Sequence, residues 1–423
     1  MSVYHFICFI SSIAIIIAFL NNKISKKQSS IVITALSLLF SLTVILTGKL
    51  GWISFENITS HLIQEVDFKD FLLNGMLGFL LFAGGLNISL VTLKQQKWEI
   101  TVLALFATLV STFAIGYGLF FVCESVNVPL PLIYCLLFGA LISPTDPIAV
   151  LAIVKKLNAP EQIAIQIEGE SLFNDGFGLV IFVSLFTLAF GNTAPTFSGV
   201  LGLFAEEAIG GIVYGFVLGL LFNYLIKEAK GIAIKILMTL IIPTAGYVLA
   251  SMIHVSGPLA MVVVGIFIGN VTLHKCFTED EQKQLSNFWG LIEEYLNGIL
   301  FLLIGLVIVT FNFHQEDWLL MLLAIPLVLA GRYISVNLSY FGFKCFRKYN
   351  PLSAHILVWG GLRGGLAIAM AMSIPAGVMI LPEKTIDVRE LILLMTYSVV
   401  LFSILIQGSS ITSLIKKAKL YQA

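Results

Sequence analysis

Residues 168 to 176 read EGESLFNDG, placing the carboxylates of Glu168, Glu170 and Asp175 around a hydroxyl at Ser171 and an amide at Asn174. Upstream, residues 143 to 147 read SPTDP and set a fourth carboxylate, Asp146, beside Thr145 and between two prolines. Carboxylates, hydroxyls and backbone carbonyls released by proline form an all-oxygen donor set, which suits a hard cation. Two aspartates on neighbouring segments could instead share one proton, as in an aspartic protease dyad. The surroundings sharpen the choice, because the flanking sequence is almost wholly apolar. An ionisable group at bilayer depth costs on the order of 3 kcal/mol even on lenient scales, so such groups are functional candidates by default. Arg332 and Arg363, each inside an apolar run, qualify on the same ground.

The elements that carry these residues follow from composition. The chain has 423 residues, 58% hydrophobic and 11% charged, with a mean hydropathy of +0.98, which excludes an ordinary soluble domain. Crossing a hydrocarbon core takes roughly 20 apolar residues. Runs of that kind lie at about 3–20, 30–48, 71–88, 99–122, 129–155, 162–190, 197–226, 232–253, 256–273, 288–311, 318–340, 352–376 and 390–414. An all-α polytopic membrane protein with about thirteen transmembrane helices is therefore expected. With the N-terminus outside, the inner connections hold eighteen of the 24 lysines and arginines, the bias that marks the cytoplasmic side. The expected location is the plasma or inner membrane, multi-pass, with the C-terminus cytoplasmic. Three lysines follow the first run and none precedes it, the reverse of a signal peptide, so that run is expected to stay attached. The five cysteines lie singly, without disulfide, zinc or redox spacing. GGIVYGFVLG at 210–219 reads as close helix packing rather than a phosphate loop. No cofactor and no nucleic-acid partner are expected.

On a helix advancing about 100° per residue, Glu168, Ser171 and Asp175 fall on one face and Glu170 and Asn174 on another. Two spans read as interrupted. SPTDP carries two prolines, which remove backbone donors, and WGGLRGG at 359–365 places four glycines around Arg363. Such backbone at membrane depth needs protein or a water-filled cavity around it. The breaks fall in the fifth and twelfth spans, seven apart, so two six-helix units are inverted relative to each other, with residues 1–192 and 231–423 as the repeats and 193–230 as a connector helix. Paired broken helices in inverted halves point to a transporter's substrate site. Half-helix C-terminal ends favour a cation such as Arg363, and N-terminal ends an anion such as Asp146.

The residues resemble the NhaP/NHE-type sodium/proton antiporter family. The likeness runs through LFAGGLNISL (81–90), GALISPTDPIAVLAIVKKLNAP (139–160), IEGESLFNDG (167–176), HVSGPLAMVVVGIFIGN (254–270), NFWGLIEEYLNGILFLLIGL (287–306), GRYISV (331–336) and WGGLRGGLAIAMAMSIP (359–375). The resemblance implies a core with two crossing broken helices beside a dimerisation unit, and an ion site at Asp175 with Asp146, Ser171 and Thr145 around it. It also implies a pairing of Glu170 with Arg332, and an electroneutral one-for-one exchange, because Asn174 stands where electrogenic relatives have a second aspartate. Arg363 is expected to support the site rather than touch the ion. Many members carry an acid where this chain has Ala83, so that contribution is missing. The implied substrates are sodium or lithium and protons, with potassium/proton exchange as the alternative; membrane lipid and a second copy of the chain are the implied partners. An intramembrane protease lacks its GxGD-type context here, and a channel lacks a repeated filter segment.

Overall fold

The computed structural model describes residues 3–24, 29–49, 68–157, 159–191, 197–310, 317–344, 347, 349–379 and 387–420. Lys26, Lys27, Lys348, Lys384, Cys345 and most of the outer connection near 49–70 lie outside them.

Regular structure among the described residues is helical, and two isolated β-bridges, Asp146 with Leu362 and Met379 with Asp387, are the exceptions. The chain opens with α1 (Val3–Ile24), α2 (Ser29–Lys49) and α3 (Phe71–Asn87). Then come α4 (Lys97–Ser125), the pair α5 (Leu132–Ile142) and α6 (Ile148–Lys156), α7 (Glu161–Phe190) and α8 (Phe197–Glu228). The second part holds α9 (Ile232–Met252), α10 (Gly257–Cys276), α11 (Glu279–Leu306) and α12 (Asp317–Lys344). It closes with the pair α13 (Ser353–Gly360) and α14 (Gly365–Met372), and α15 (Val388–Lys419). Among the described residues eight helices are long and apolar enough to cross a membrane, and shorter apolar helices accompany them, including Ile10–Leu20, Ile31–Thr43 and Leu132–Ile142.

Helix boundaries follow local chemistry. Thr278 and Glu281 cap the start of α11 reciprocally, each side chain bonding the other's backbone N–H. The Ser256 hydroxyl accepts from Leu259 N with Pro258 in the first turn of α10. Asp387 caps α15 through Arg389 N. Pro144 and Pro147 separate α5 from α6, since neither can donate to the helix ladder.

Helix α7 lies against α4, α5, α8, α10 and α13, so its EGESLFNDG segment is enclosed by protein. Helix α3 packs along α10, and α10 along α8, while α11 packs on α1 and α2. Close approach depends on small residues: a Cβ at Gly85 of α3 would stand 2.8 Å from the Val262 carbonyl of α10, and this is how membrane helices gain contact without a hydrophobic drive between them. Trp289 of α11 is fully buried against Phe82 of α3, ring centroids 4.7 Å apart.

Candidate functional site

The two breaks meet. Backbone leaves helical geometry over 143–147 and again over 361–364, and Asp146 N donates to Leu362 O at 2.8 Å. Pro144 and Pro147 give the first break its extended shape, and that exposes Asp146 N to a partner outside its own helix. The Asp146 carboxylate accepts from Ile148 N at 2.9 Å, capping α6. Gly364 makes room for that carboxylate, since a Cβ there would stand 2.8 Å from the Asp146 Cβ.

Helix α7 reaches the first break through two side chains. Thr145 N donates to Asn174 Oδ1 at 3.2 Å, Asn174 Nδ2 donates to Thr145 Oγ1 at 2.9 Å, and the Thr145 and Ser171 hydroxyls are 2.9 Å apart. The two-face reading therefore separates too much: Ser171 and Asn174 lie only about 60° apart on the helix, and a broken backbone presents an N–H and a hydroxyl together, so both side chains converge on Thr145. All three residues are buried.

The arginines are buried as well. Arg332 pairs with Glu170, with 3% and 1% of the two side chains exposed, and its Nη2 donates to Leu357 O at 3.1 Å. A glycine at 361 admits this guanidinium, because a Cβ there would lie 2.9 Å from Nε. Arg363 Nη1 donates to the carbonyls of Ser143 and of Pro144, the latter at 2.9 Å. It thus places its charge on the C-terminal end of α5, where the helix dipole is negative. Pro147 removes the N–H that the Ser143 carbonyl would meet in a continuous helix, and Ile148 N turns to the Asp146 carboxylate instead of the Pro144 carbonyl, so Arg363 supplies the donor that both carbonyls lack.

Ser403 and Gln407 brace the second break. Arg363 N donates to Ser403 Oγ at 3.0 Å, and Gln407 Nε2 donates to Trp359 O at 3.1 Å. The chain from Ser403 to Gln407 is a π-helical turn of α15, a distortion common at functional sites. No motif in the sequence singles out this pair: two polar residues four apart in an apolar run are the sole signal, and the π-helical turn takes them off the ordinary helical register. Arg332 Nε and Arg363 Nη2 have no hydrogen-bond partner among the described residues, and both arginines border a cavity of about 10 Å³, close to the space of one water.

A much larger cavity, about 900 Å³, is lined by Asp146, Asp175, Glu168 and Asn297 among mostly apolar neighbours that include Pro144, Leu172 and Gly364. Of the four expected ion ligands, Asp146 and Asp175 line this cavity, while Thr145 and Ser171 lie behind them, bonded to each other. Ala83 is fully buried within an apolar cluster that α10 and α11 share, and adds no oxygen. Asn297 was not singled out by sequence, because a lone amide between two glutamates and an apolar run has no motif. The arrangement offers Asp146 and Asp175 on a water-accessible cavity whose wall also carries the carboxylates of Glu168, Glu293 and Glu294, and buried hydrogen bonds hold the broken backbone behind them in place.

The family described as sodium/hydrogen exchanger, transmembrane, matches residues 29–417. The chain is 40% identical over 409 residues to the Na(+)/H(+) antiporter NhaP of Pseudomonas aeruginosa, covering 95% of this chain and 94% of that one. It is 32% identical over 399 residues to the Na(+)/H(+) antiporter NhaH of Halobacillus aidingensis, covering 93% of each. The structure of the sodium proton antiporter MjNhaP1 from Methanocaldococcus jannaschii at pH 8 superposes with a TM-score of 0.76 at 18% identity, covering 99% of both chains. At that identity the likeness speaks to the fold.

Proposed function

The chain belongs to the sodium/hydrogen exchanger family, and from that membership we propose that it exchanges sodium, and lithium, for protons across a membrane by offering Asp175 alternately to the two sides. The observation that carries the reading is the cavity shared by Asp146 and Asp175 at the meeting of the two breaks. A single carboxylate binds a metal cation or a proton but not both, so alternating access exchanges one for the other without a further coupling device. Asp146 adds charge and caps α6, and Thr145 and Ser171 form the oxygen-rich wall behind. Asn174, Glu170, Arg332 and Arg363 hold that wall in place. The relatives are named for sodium, so potassium exchange is not favoured, and none of these relatives is a protease.

The topology that fits this reading has thirteen spans with the N-terminus outside, and inverted repeats 1–192 and 231–423 joined by the connector 193–230. It is supported by the position of the breaks, one per repeat, and by the lysine bias. The cavity lining extends to Asn87, the last residue of α3, and to Leu151 and Ala152 in α6, where the chain runs on to Lys94 and Lys97 and to Lys155 and Lys156. By the positive-inside rule that end is cytoplasmic, so this conformation faces inward.

Two measurements bear on the scheme. In proteoliposomes with an imposed pH gradient, sodium and lithium are expected to dissipate the gradient and potassium is not. With Asn174 neutral the two loaded forms carry equal charge, so clamping the membrane potential, worth about 2.3 kcal/mol per charge per 100 mV, should leave the rate unchanged. A steady current from the wild type would rule out one-for-one exchange. A homodimer is also proposed, seated on the first spans and on α8, whose Ile209, Val213, Phe216, Val217, Leu220 and Tyr224 are exposed. Native mass measurement in lipid nanodiscs should give twice 46.3 kDa; monomer alone would refute it.

A further inference from the structure

Helix α11 carries Glu293, Glu294 and Asn297 and then an unbroken buried apolar run from Ile299 to Leu306. Asn297 is the last polar side chain before that run. It lines the cavity that Asp146 and Asp175 share, only 8% of it is exposed, and its Oδ1 accepts no hydrogen bond among the described residues. A buried amide oxygen is costly to leave without a donor. Helix α11 packs on α1, α2, α3 and α14, so the amide reaches the cavity from a different element than Asp146 and Asp175 do, with Glu293 and Glu294 of its own helix on the same wall. Its terminal torsion is soft, so the oxygen can turn to a cation or to a water on it.

We propose that Asn297 is a specificity-determining residue for the transported cation, supplying a neutral oxygen, directly or through one water, to the ion held by Asp146 and Asp175. This rests on the antiport reading. Carboxylates attract any monovalent cation through charge, whereas the number and field of neutral oxygens decide how well a given ion's hydration shell is replaced. The Thr145 and Ser171 hydroxyls bond each other, Thr145 Oγ1 also accepts from Asn174 Nδ2, and neither residue lines the cavity. Asn87, the other amide on the cavity wall, is exposed. Asn297 is thus the buried amide on this wall with an oxygen to give.

The test uses the full chain in proteoliposomes, with exchange measured against sodium, lithium and potassium concentration. Asn297→Ala is expected to raise the sodium KM about tenfold, equivalent to ~1.4 kcal/mol, with kcat within about twofold, and to narrow the preference for sodium over potassium. Asn297→Gln, which keeps the amide, should recover much of the sodium KM. If Asn297→Ala does not fold, Asn297→Ser carries the same comparison, with a smaller rise expected. A lowered melting temperature with unchanged KM values for all three cations would make Asn297 a packing residue and overturn the proposal. Exchange by the wild type with the sodium KM unaltered in Asn297→Ala overturns this proposal alone; no exchange by the wild type overturns the antiport reading and this proposal with it.

Discussion

Proteoliposomes carrying Asp175→Asn are expected to lose sodium-driven proton movement by about a hundredfold or more, while the variant folds and extracts as the wild type does. Asparagine keeps the shape of the side chain, so the packing of α7 should be preserved. What it removes is the charge that holds the cation and the site that takes the proton, and truncating one partner of a desolvated charge pair weakens binding by about 2–5 kcal/mol, on the order of a hundredfold. The pH dependence of the wild type checks the same mechanism with a definite sign. Cation binding requires the ionised carboxylate and so releases a proton. On the acid side, apparent sodium affinity should fall about tenfold per pH unit, and raising sodium should move the acidic limb of activity to lower pH. At high pH the return step lacks protons, which gives a bell-shaped profile. Exchange by Asp175→Asn above a tenth of the wild-type rate, or sodium binding indifferent to pH, would defeat the assignment.

The second large effect is on folding. Arg332→Ala is expected to lower the melting temperature and the folded yield sharply, because it strands the Glu170 carboxylate inside the protein. The pair is almost fully buried, and Arg332 also ties α12 to the Leu357 carbonyl of α13. Breaking such a pair typically costs about 3–5 kcal/mol, whereas replacing both members with uncharged groups of similar size is often nearly neutral. The double variant Glu170→Gln with Arg332→Met should therefore be more stable than Arg332→Ala, as read by thermal denaturation in detergent. Normal stability of Arg332→Ala combined with altered cation preference would show that the pair acts on the ion and not on the fold.

Several features of the site were legible in the chain before any contact was known. Proline at 144 and 147 and the glycines around Arg363 marked the interruptions, which extend over 143–147 and 361–364, within the SPTDP and WGGLRGG segments read as broken. The acids of α7 announced themselves by their cost in apolar surroundings, and the separation of Glu170 from Asp175 around the helix agrees with Glu170 meeting Arg332 while Asp175 lines the cavity. Arg363 was expected to support the site, but its contact with Ser143 and Pro144 joins residues about 220 positions apart, and no local pattern encodes that. Ser403 and Gln407 were missed for a related reason: a π-helical turn shifts side chains off the 3.6-residue register on which face arguments depend.

The sequence by itself determined the class of the protein and where its helices fail. An apolar chain in lipid must satisfy its backbone internally, which demands helices, and proline and clustered glycine end them wherever they occur. Only the tertiary structure decided which oxygens are available. A carbonyl released by proline is equally free on paper whether it meets a cation or an arginine, and a hydroxyl equally able to bind an ion or a neighbour. Packing of α12, α15 and the second break against the first commits the Ser143 and Pro144 carbonyls to Arg363, and packing of α7 commits Thr145 to Ser171 and Asn174. Asp146, Asp175 and Asn297 face the cavity instead, together with Glu168, Glu293 and Glu294, a selection made by long-range contacts because hydrogen-bond capacity is local to a residue but its use depends on which groups the fold brings within about 3 Å.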